Sequence, residues 1–179
     1  MSRILLFSDS HGVAAAMKAL RARVEADAPD LVCFLGDALY HGPRNGVPLD
    51  YDTKASAEAF NAMAERIVAV RGNCDAEIDQ AVLQFPILAD YALLSAGERL
   101  LFVTHGHLFH LDALPPLHPG DILLHGHTHV PACETRDGVT YLNPGSLAIP
   151  KADSPHSYMT LEDGVFLWKD LLTGAVYRE

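Results

Sequence analysis

The sequence is poor in cysteine and in basic residues. Its three cysteines, Cys33, Cys74 and Cys133, are far apart and form no Cys-x-x-Cys pair, which argues against a disulfide framework or a structural zinc knuckle. Lys and Arg number 13 against 23 Asp and Glu, for a formal charge of −10. A groove for a nucleic-acid backbone normally needs a basic stripe, and none is evident here.

Long apolar runs are also missing. The longest have four or five residues, as at 4–7, whereas about 20 are needed to cross a bilayer. No basic segment precedes a signal-type apolar run, so no export signal is predicted. We therefore expect a cytoplasmic protein without a membrane partner.

What the chain does have is enough apolar material for a folded core. Apolar residues make up 49% and charged residues 20% of the 179 residues, which argues against disorder. The length suits one domain, so residues 1–179 are expected to form a single domain.

The first half alternates apolar runs with helical patterns. Strands are predicted at 4–7, 31–35 and 67–70. A helix between the first two has a repeating apolar face of Val13, Met17, Leu20 and Val24. A second helix is predicted over about 53–66, capped by Asp52 or Thr53, with Ala55, Ala59 and Met63 on one face. This order predicts parallel strands with right-handed crossovers.

The second half is typical of antiparallel hairpins. Paired strands are predicted at 91–94 with 100–104, 132–136 with 139–142, 159–161 with 165–168, and 171–172 with 175–177, and another strand at 122–125. Asp137-Gly138 is the strongest turn signal among them. Two mixed sheets packed together, with helices outside, would accommodate both halves.

Side chains of ligand type follow the ends of five predicted strands. They are Asp9, Asp37, Asn73, His105 and His127, each with a glycine nearby. Ligands in α/β proteins bind beyond the carboxyl ends of the strands. Each motif alone has a plainer interpretation, such as a helix cap, a turn or a surface imidazole. Together, and with seven of the ten histidines lying between 105 and 129, they favour a metal site.

In this order, the motifs resemble the five blocks of the calcineurin-like metallophosphoesterase superfamily. The blocks are Asp9-x-His11, Gly36-Asp37, Gly72-Asn73-x-Asp75, His105 and Gly126-His127-x-His129. The short chain, Gly72-Asn73-Cys74-Asp75 and the loop at 41–45 are most similar to the YfcE-type phosphodiesterase branch. The resemblance implies a four-layer αββα sandwich of two mixed β-sheets flanked by helices.

The same resemblance implies a two-metal centre. One ion would be held by Asp9, His11, Asp37 and His129, and the other by Asp37, Asn73, His105 and His127, with Asp37 bridging. Carboxylate, amide and imidazole ligands without thiolate suit Mn²⁺, the expected metal, and also Ni²⁺, Fe, Co²⁺ or Zn²⁺. A hydroxide shared by the ions is the expected nucleophile on a small phosphoester.

Asp37, Asn73 and Cys74 are the predicted catalytic residues. Cys74 stands where the family usually has a histidine thought to assist the leaving oxygen, and a thiol is a weaker donor. A buried thiol that only fills space is an equal alternative. Arg44 and His107 are predicted substrate contacts, although a solvated loop arginine and a histidine that orients a metal ligand are the alternatives.

A phosphodiesterase is the favoured function. A phosphomonoesterase, and a non-catalytic interaction module like the related retromer subunit, stay open. Self-association into a homo-oligomer is open as well.

Overall fold

The computed structural model describes residues 3–179. The helices are α1 (Ala14–Asp27), α2 (Thr53–Asn61) and α3 (Glu77–Val82), with one 3₁₀ turn at Ala64–Arg66. The strands are β1 (Ile4–Phe7), β2 (Leu31–Phe34), β3 (Ile67–Ala69), β4 (Tyr91–Ala96), β5 (Arg99–Thr104), β6 (Ile122–Leu124), β7 (Ala132–Arg136), β8 (Val139–Asn143), β9 (Ser157–Glu162), β10 (Val165–Asp170) and β11 (Val176–Arg178).

The strands form two mixed sheets. The first has the order β11-β10-β9-β1-β2-β3, and the second has the order β4-β5-β6-β8-β7. β1, β2 and β3 are parallel neighbours, as the alternation of strands and helices predicts. β5, β6 and β8 are also parallel, and antiparallel hairpins complete both sheets.

Strand β1 shows how the two sheets and the helices share the core. Leu5 and Phe7 pack with the helices, while Ile4 and Leu6 face the second sheet. Because both faces of the strand are covered, every residue is apolar and the sequence shows no alternation. Between the sheets, these side chains meet residues of the second sheet that include Leu101 and Leu124.

The outer face of the second sheet is covered by irregular chain. Phe102, Leu123 and Val139 pack there against Phe109 and Leu117, which belong to the segment between β5 and β6. All three helices of the described residues lie before residue 83. The predicted fold class, two mixed sheets with helices in one α/β unit, is nevertheless confirmed.

The second helix is shorter than predicted. It ends at Asn61, whose side chain donates to the Val82 carbonyl and accepts from the Gln84 amide. These bonds tie the end of α2 to the end of α3, a short helix that the sequence pattern did not predict. Asp52 caps α2 as expected, accepting from the Ala55 amide.

The buried face of that helix also differs from the prediction. It is formed by Ser56, Ala57 and Phe60, whereas Ala55 and Ala59 are only partly buried. Met63, beyond the end of the helix, is buried in the same core, as predicted. Phe60 carries the largest side chain of the face and packs its ring on Phe7 and Phe34, so its burial sets the rotation of the helix.

The predicted strand at 171–172 is wrong. These residues belong to the turn between β10 and β11. The Asp170 carboxylate accepts from the Leu172 and Thr173 amides, which is turn chemistry that competes with strand pairing.

Candidate metal centre

The carboxyl ends of five strands meet at one edge of the two packed sheets. Asp9 and His11 follow β1, Asp37 follows β2, Asn73 follows β3, His105 follows β5, and His127 and His129 follow β6. All seven predicted metal ligands therefore lie in the loops at this edge, and their polar atoms converge in two overlapping groups.

The first group contains Asp9, His11 and His129, all buried. His129 Nε2 lies 3.3 Å from Asp9 Oδ1 and also 3.3 Å from His11 Nε2. His11 Nε2 is 3.7 Å from Asp9 Oδ1. Three ligand atoms thus surround one point without filling it, which is an arrangement that could hold a cation.

The second group is centred on Asp37 and His105. His105 Nε2 lies 3.5 Å from Asp37 Oδ2, 3.2 Å from Asn73 Oδ1 and 3.2 Å from His127 Nδ1. The same Asp37 oxygen is 3.7 Å from His11 Nε2 in the first group. Asp37 Oδ2 therefore lies between the two groups and could serve both.

Main-chain carbonyls fix the orientation of three of the imidazoles. Nδ1 of His11 donates to Tyr40 O at 2.8 Å, and Nδ1 of His105 donates to Leu35 O at 2.7 Å. Nδ1 of His129 donates to a third carbonyl, that of residue 149, at 2.6 Å. With the proton on Nδ1, the lone pair of Nε2 points into the cluster. This is how proteins prepare histidine for a metal.

As a result, hydrogen-bond acceptors of the cluster face one another. The Nε2 lone pairs of His11 and His129 oppose each other, and Asp9 Oδ1 is buried without any hydrogen-bond partner. In the second group, the Asn73 amide nitrogen donates to the Cys74 sulfur, so its oxygen faces His105. Buried acceptors without donors are costly unless a cation or a proton satisfies them. The residues present therefore fit a divalent metal.

The backbone at the site is strained. Five of the seven residues have a positive φ: Asp9 (57°), His11 (45°), Asp37 (64°), His127 (66°) and His129 (64°). Such angles are uncommon outside glycine and cost of order 1–3 kcal/mol where they are held by surrounding structure. Their concentration in one place indicates a functional site rather than ordinary turns.

Two glycines allow the loops to approach the carboxylates. A Cβ at Gly72 would collide with Asp37 Oδ1, and one at Gly126 would collide with Ser8 Oγ. Close approach, rather than a positive φ, is the reason for glycine at both positions.

The charges of the cluster shift its pKa values. Burial lowers the pKa of His105, but the Asp37 hydrogen bond and the Asp9 and Asp37 charges outweigh it and raise the pKa to about 9. Burial and the neighbouring charge of His105 lower the pKa of His127 to about 4. A proton on His105 thus balances the carboxylates, and a metal ion would have to displace it.

Asp75 supports the centre without pointing into it. Its carboxylate accepts from the amides of Asp37 (2.9 Å), Gly72 (2.7 Å) and Ala38 (2.7 Å). Two ligand loops are tied together in this way, because the Asp37 loop follows β2 and the Gly72 loop follows β3. Sequence reasoning assigned Asp75 no role, although it belongs to the quoted block Gly72-Asn73-Cys74-Asp75.

A cavity of about 500 Å³ opens onto the cluster. Its walls include Arg44, Cys74 and Lys151, as well as several of the ligand residues. Burial, followed by the Asp37 charge, raises the pKa of the Cys74 thiol to about 12. Sequence reasoning missed Lys151, since no motif surrounds it.

His107, the other predicted substrate contact, does not line this cavity, although its ring centroid lies 5.5 Å from that of His105. It lines a neighbouring groove of about 430 Å³ together with His110, His125 and Tyr141. The groove shares only His127 and Thr128 with the main cavity.

Comparison with known proteins agrees with this geometry. Residues 2–163 match the calcineurin-like phosphoesterase superfamily domain. The chain therefore belongs to this family, as its motifs predict.

Among curated proteins, the phosphodiesterase YfcE of Escherichia coli K12 is 43% identical over 166 residues, which cover 92% of this chain and 90% of YfcE. The solved structure of that E. coli phosphoesterase superposes with a TM-score of 0.95, over 98% of this chain and 97% of the other. Vacuolar protein sorting 29 from Cryptosporidium parvum has a TM-score of 0.63 at 22% identity, covering 98% of this chain and 94% of the other, and so shares the fold. In the described part of this chain, residues 3–179, no helix is long and apolar enough to span a membrane.

Proposed function

We propose that the protein is a dinuclear metal-dependent phosphodiesterase, acting as a single domain on a small phosphoester. The observation that carries this proposal is the cluster of buried acceptors that face one another without donors, centred on Asp9 Oδ1 and on Nε2 of His11 and His129. Membership of the family and the 43% identity to a phosphodiesterase support the reaction class.

The proposed ligand sets follow the two groups of atoms. Asp9, His11, Asp37 and His129 hold one ion, and Asp37, Asn73, His105 and His127 hold the other. The position of Asp37 Oδ2 between the groups supports a bridging role. Two divalent ions would lower the pKa of bound water toward ~7 and offset the charge on the phosphoryl group. The donors are oxygen and imidazole nitrogen, which suits Mn²⁺ first.

The side chains of the centre then have separate tasks. The carbonyl-bound imidazoles keep Nε2 directed inward, so their rings need no reorientation before an ion binds, and His105 has only to lose its Nε2 proton. The buried Asp37 carboxylate is held by the Cys74 amide, which donates to Oδ1 at 2.8 Å and leaves Oδ2 for the ions.

Cys74 is the proposed residue nearest the leaving oxygen. Its thiol lines the cavity beside Asn73. A thiol donates only a weak hydrogen bond, so esters with activated leaving groups such as nitrophenolate are the expected substrates. Arg44, on the cavity wall, is a proposed contact to a phosphate oxygen.

The test uses chelator-stripped protein. Bis-p-nitrophenyl phosphate and p-nitrophenyl phosphate are assayed separately with Mn²⁺, Ni²⁺, Mg²⁺ and Zn²⁺, and the metal content of protein purified without chelator is measured. We expect about two ions per chain and Mn²⁺-dependent hydrolysis of the diester. His129→Ala should lose metal and activity, while His118→Ala, an exposed histidine outside the cluster, should keep both.

Other results would identify the alternatives. Hydrolysis of the monoester alone would indicate a phosphomonoesterase. Protein without bound metal or hydrolysis would indicate an interaction module on this fold. Cytoplasmic location and self-association also stay predictions, to be tested by cell fractionation and light scattering.

A further inference from the structure

The main cavity contains two cationic side chains without partners. Arg44 and Lys151 both line it, and among residues 3–179 neither side chain makes an ion pair or a hydrogen bond. Some other cations of the described residues are paired, such as Arg136 with Asp112 and Lys169 with Glu162, whereas Lys18, Lys54 and Arg66 are unpaired and lie outside this cavity. In a protein with a formal charge of −10, two unpaired cations in one cavity call for a ligand.

The two cations come from separate loops, and both loops are ordered by main-chain contacts. Asn45 Nδ2 donates to the His41 carbonyl at 2.7 Å, which closes the turn that carries Arg44. The Lys151 amide donates to the His129 carbonyl at 3.2 Å, and the Lys151 carbonyl accepts from Ser154 Oγ at 2.6 Å. The main-chain positions of both residues are therefore fixed beside the ligand cluster. This lowers the entropy cost of ordering their side chains on a substrate.

The metal centre can balance the charge of a simple diester without these two cations. Under the proposed function, two divalent ions bring four positive charges, and Asp9 and Asp37 are the only anionic ligands of the set. With the bridging hydroxide included, one positive charge remains, which balances the single negative charge of a phosphodiester. Arg44 and Lys151 are then free to bind a different anion on the same molecule.

We infer that Arg44 and Lys151 form a second anion site, and that the substrate is a phosphodiester with a terminal phosphate on one ester arm. This inference rests on the proposed function, since the scissile phosphate must occupy the metal centre. The cavity of about 500 Å³ is within the range of small-ligand sites, ~300–1,000 Å³. Arginine suits this task because its planar guanidinium can form paired hydrogen bonds to a phosphate.

The kinetic test compares two substrates that differ by one phosphate. They are the p-nitrophenyl ester of thymidine 5′-phosphate and the same ester with an added 3′-phosphate. Both have the same scissile bond and leaving group. With the Mn²⁺-loaded protein, we expect kcat/KM to be about tenfold higher for the 3′-phosphorylated ester, the effect of two partly exposed ion pairs. The preference should shrink in 0.5 M salt, which screens such pairs.

The variants are designed to change the ratio of kcat/KM for the 3′-phosphorylated ester to kcat/KM for the ester without that phosphate. In the double variant Arg44→Gln, Lys151→Gln, the ratio of the two kcat/KM values should fall to about one. Lys18→Gln removes an exposed lysine of α1 that lies outside the cavity lining, and its ratio should equal that of the wild type.

A binding measurement gives a readout that is independent of turnover. Isothermal titration of the Mn²⁺-loaded protein should show that thymidine 3′,5′-bisphosphate binds about tenfold more tightly than thymidine 5′-phosphate. The double variant should lose this difference. Because product analogues are used, the measurement decides the inference even if neither ester is hydrolysed.

The inference and the proposed function can fail separately. Equal kcat/KM values for the two esters, or a preference that survives in the double variant, would overturn the second anion site while bis-p-nitrophenyl phosphate hydrolysis still supports the phosphodiesterase. Absence of hydrolysis with all four metals would overturn the proposed function. Tighter binding of the bisphosphate would then still support the anion site.

Discussion

The two sheets contribute different chemistry to the centre. Loops of the first sheet supply all the proposed oxygen ligands and one imidazole, namely Asp9, Asp37, Asn73 and His11. Loops of the second sheet supply only imidazoles, namely His105, His127 and His129. The first sheet supplies only one imidazole and the second sheet supplies no oxygen, so the complete proposed set exists only when the two sheets are packed together. Ion binding and packing of the sheets are therefore expected to stabilise each other.

The ligands of the two sheets are also held differently. The carboxylates of Asp9 and Asp37 are held by amide donors, from His127 and Cys74 respectively. Three of the four imidazoles, those of His11, His105 and His129, are held by carbonyl acceptors, and His105 of the second sheet uses the Leu35 carbonyl at the end of β2. Of these hydrogen bonds, the two that cross between the sheets both run from a donor of the second sheet to an acceptor of the first, and a change on one side should alter the geometry of the other.

The largest effect is expected from removing Asp37 Oδ2, the oxygen of the first sheet that the two groups share. Asp37→Ala should lose both ions and reduce hydrolysis at least about a thousandfold, because Asp37 Oδ2 lies between the two groups. Metal content and diester hydrolysis measure the outcome. Asp37→Asn keeps one oxygen and should retain more metal than Asp37→Ala. Wild-type metal content in Asp37→Ala would contradict the shared-ligand assignment.

A smaller effect should follow from loosening the first sheet's loops without removing a ligand. Asp75→Ala leaves three amides without their acceptor, and should cost roughly 2–4 kcal/mol of unfolding free energy. We expect diester hydrolysis to fall about a hundredfold, since ligand positions would relax. Urea unfolding and metal titration give the two measurements.

Asp79→Ala is the matched control for that variant. Asp79 belongs to the same segment but accepts from one amide, that of Ala76, so its loss should cost only about 1 kcal/mol. Equal destabilisation by both variants would mean that the Asp75 contacts contribute no more than an ordinary helix cap.

The third prediction concerns the protonated imidazole of the second sheet. With a pKa of about 9, His105 carries a proton at neutral pH that a metal ion must displace. Metal affinity should therefore rise with pH, by about tenfold per unit between pH 6 and 8, until His105 titrates. Isothermal titration with Mn²⁺ in buffers of different ionisation enthalpy measures the proton release. Affinity that does not change with pH would exclude this competition.

The smallest effect is expected at the edge of the cavity. Cys74→His replaces a weak donor with a stronger one, and should raise turnover of esters with poor leaving groups by a few-fold to about tenfold. Nitrophenyl esters should gain less, since their leaving group needs little help. Rates on a series of leaving groups test this, and an unchanged or lower rate on the poor ones would argue for a thiol that only fills space.

The sequence predicted the architecture where local signals are strong. Asp137-Gly138 identified the β7–β8 hairpin because its turn chemistry is local, and the apolar runs identified β1 and β2. It failed at α3, whose six residues are too short for a periodic pattern. The face of α2 was also mistaken, because burial of Phe60 between Phe7 and Phe34 depends on tertiary packing.

The same distinction applies to the site. The seven proposed ligands have side chains of recognisable chemistry, and strand order predicted that they would converge. The position of Lys151 in the cavity, and the way in which the Asp75 carboxylate ties two loops together, were not predicted. Lys151 reaches the cavity through the fold of a distant loop, and Asp75 acts on backbone amides, which leave no pattern in the sequence.

The carbonyls that orient the imidazoles have a consequence for the divergence of such proteins. Leu35, Tyr40 and Ile149 provide their main-chain oxygens, which every amino acid possesses. Evolution is therefore free to exchange the residue types at these three positions as long as the path of the chain is preserved. A bend or an inserted residue there would misdirect an imidazole ring without changing any ligand residue. A protein that retains every residue of the motif could therefore be an inactive descendant.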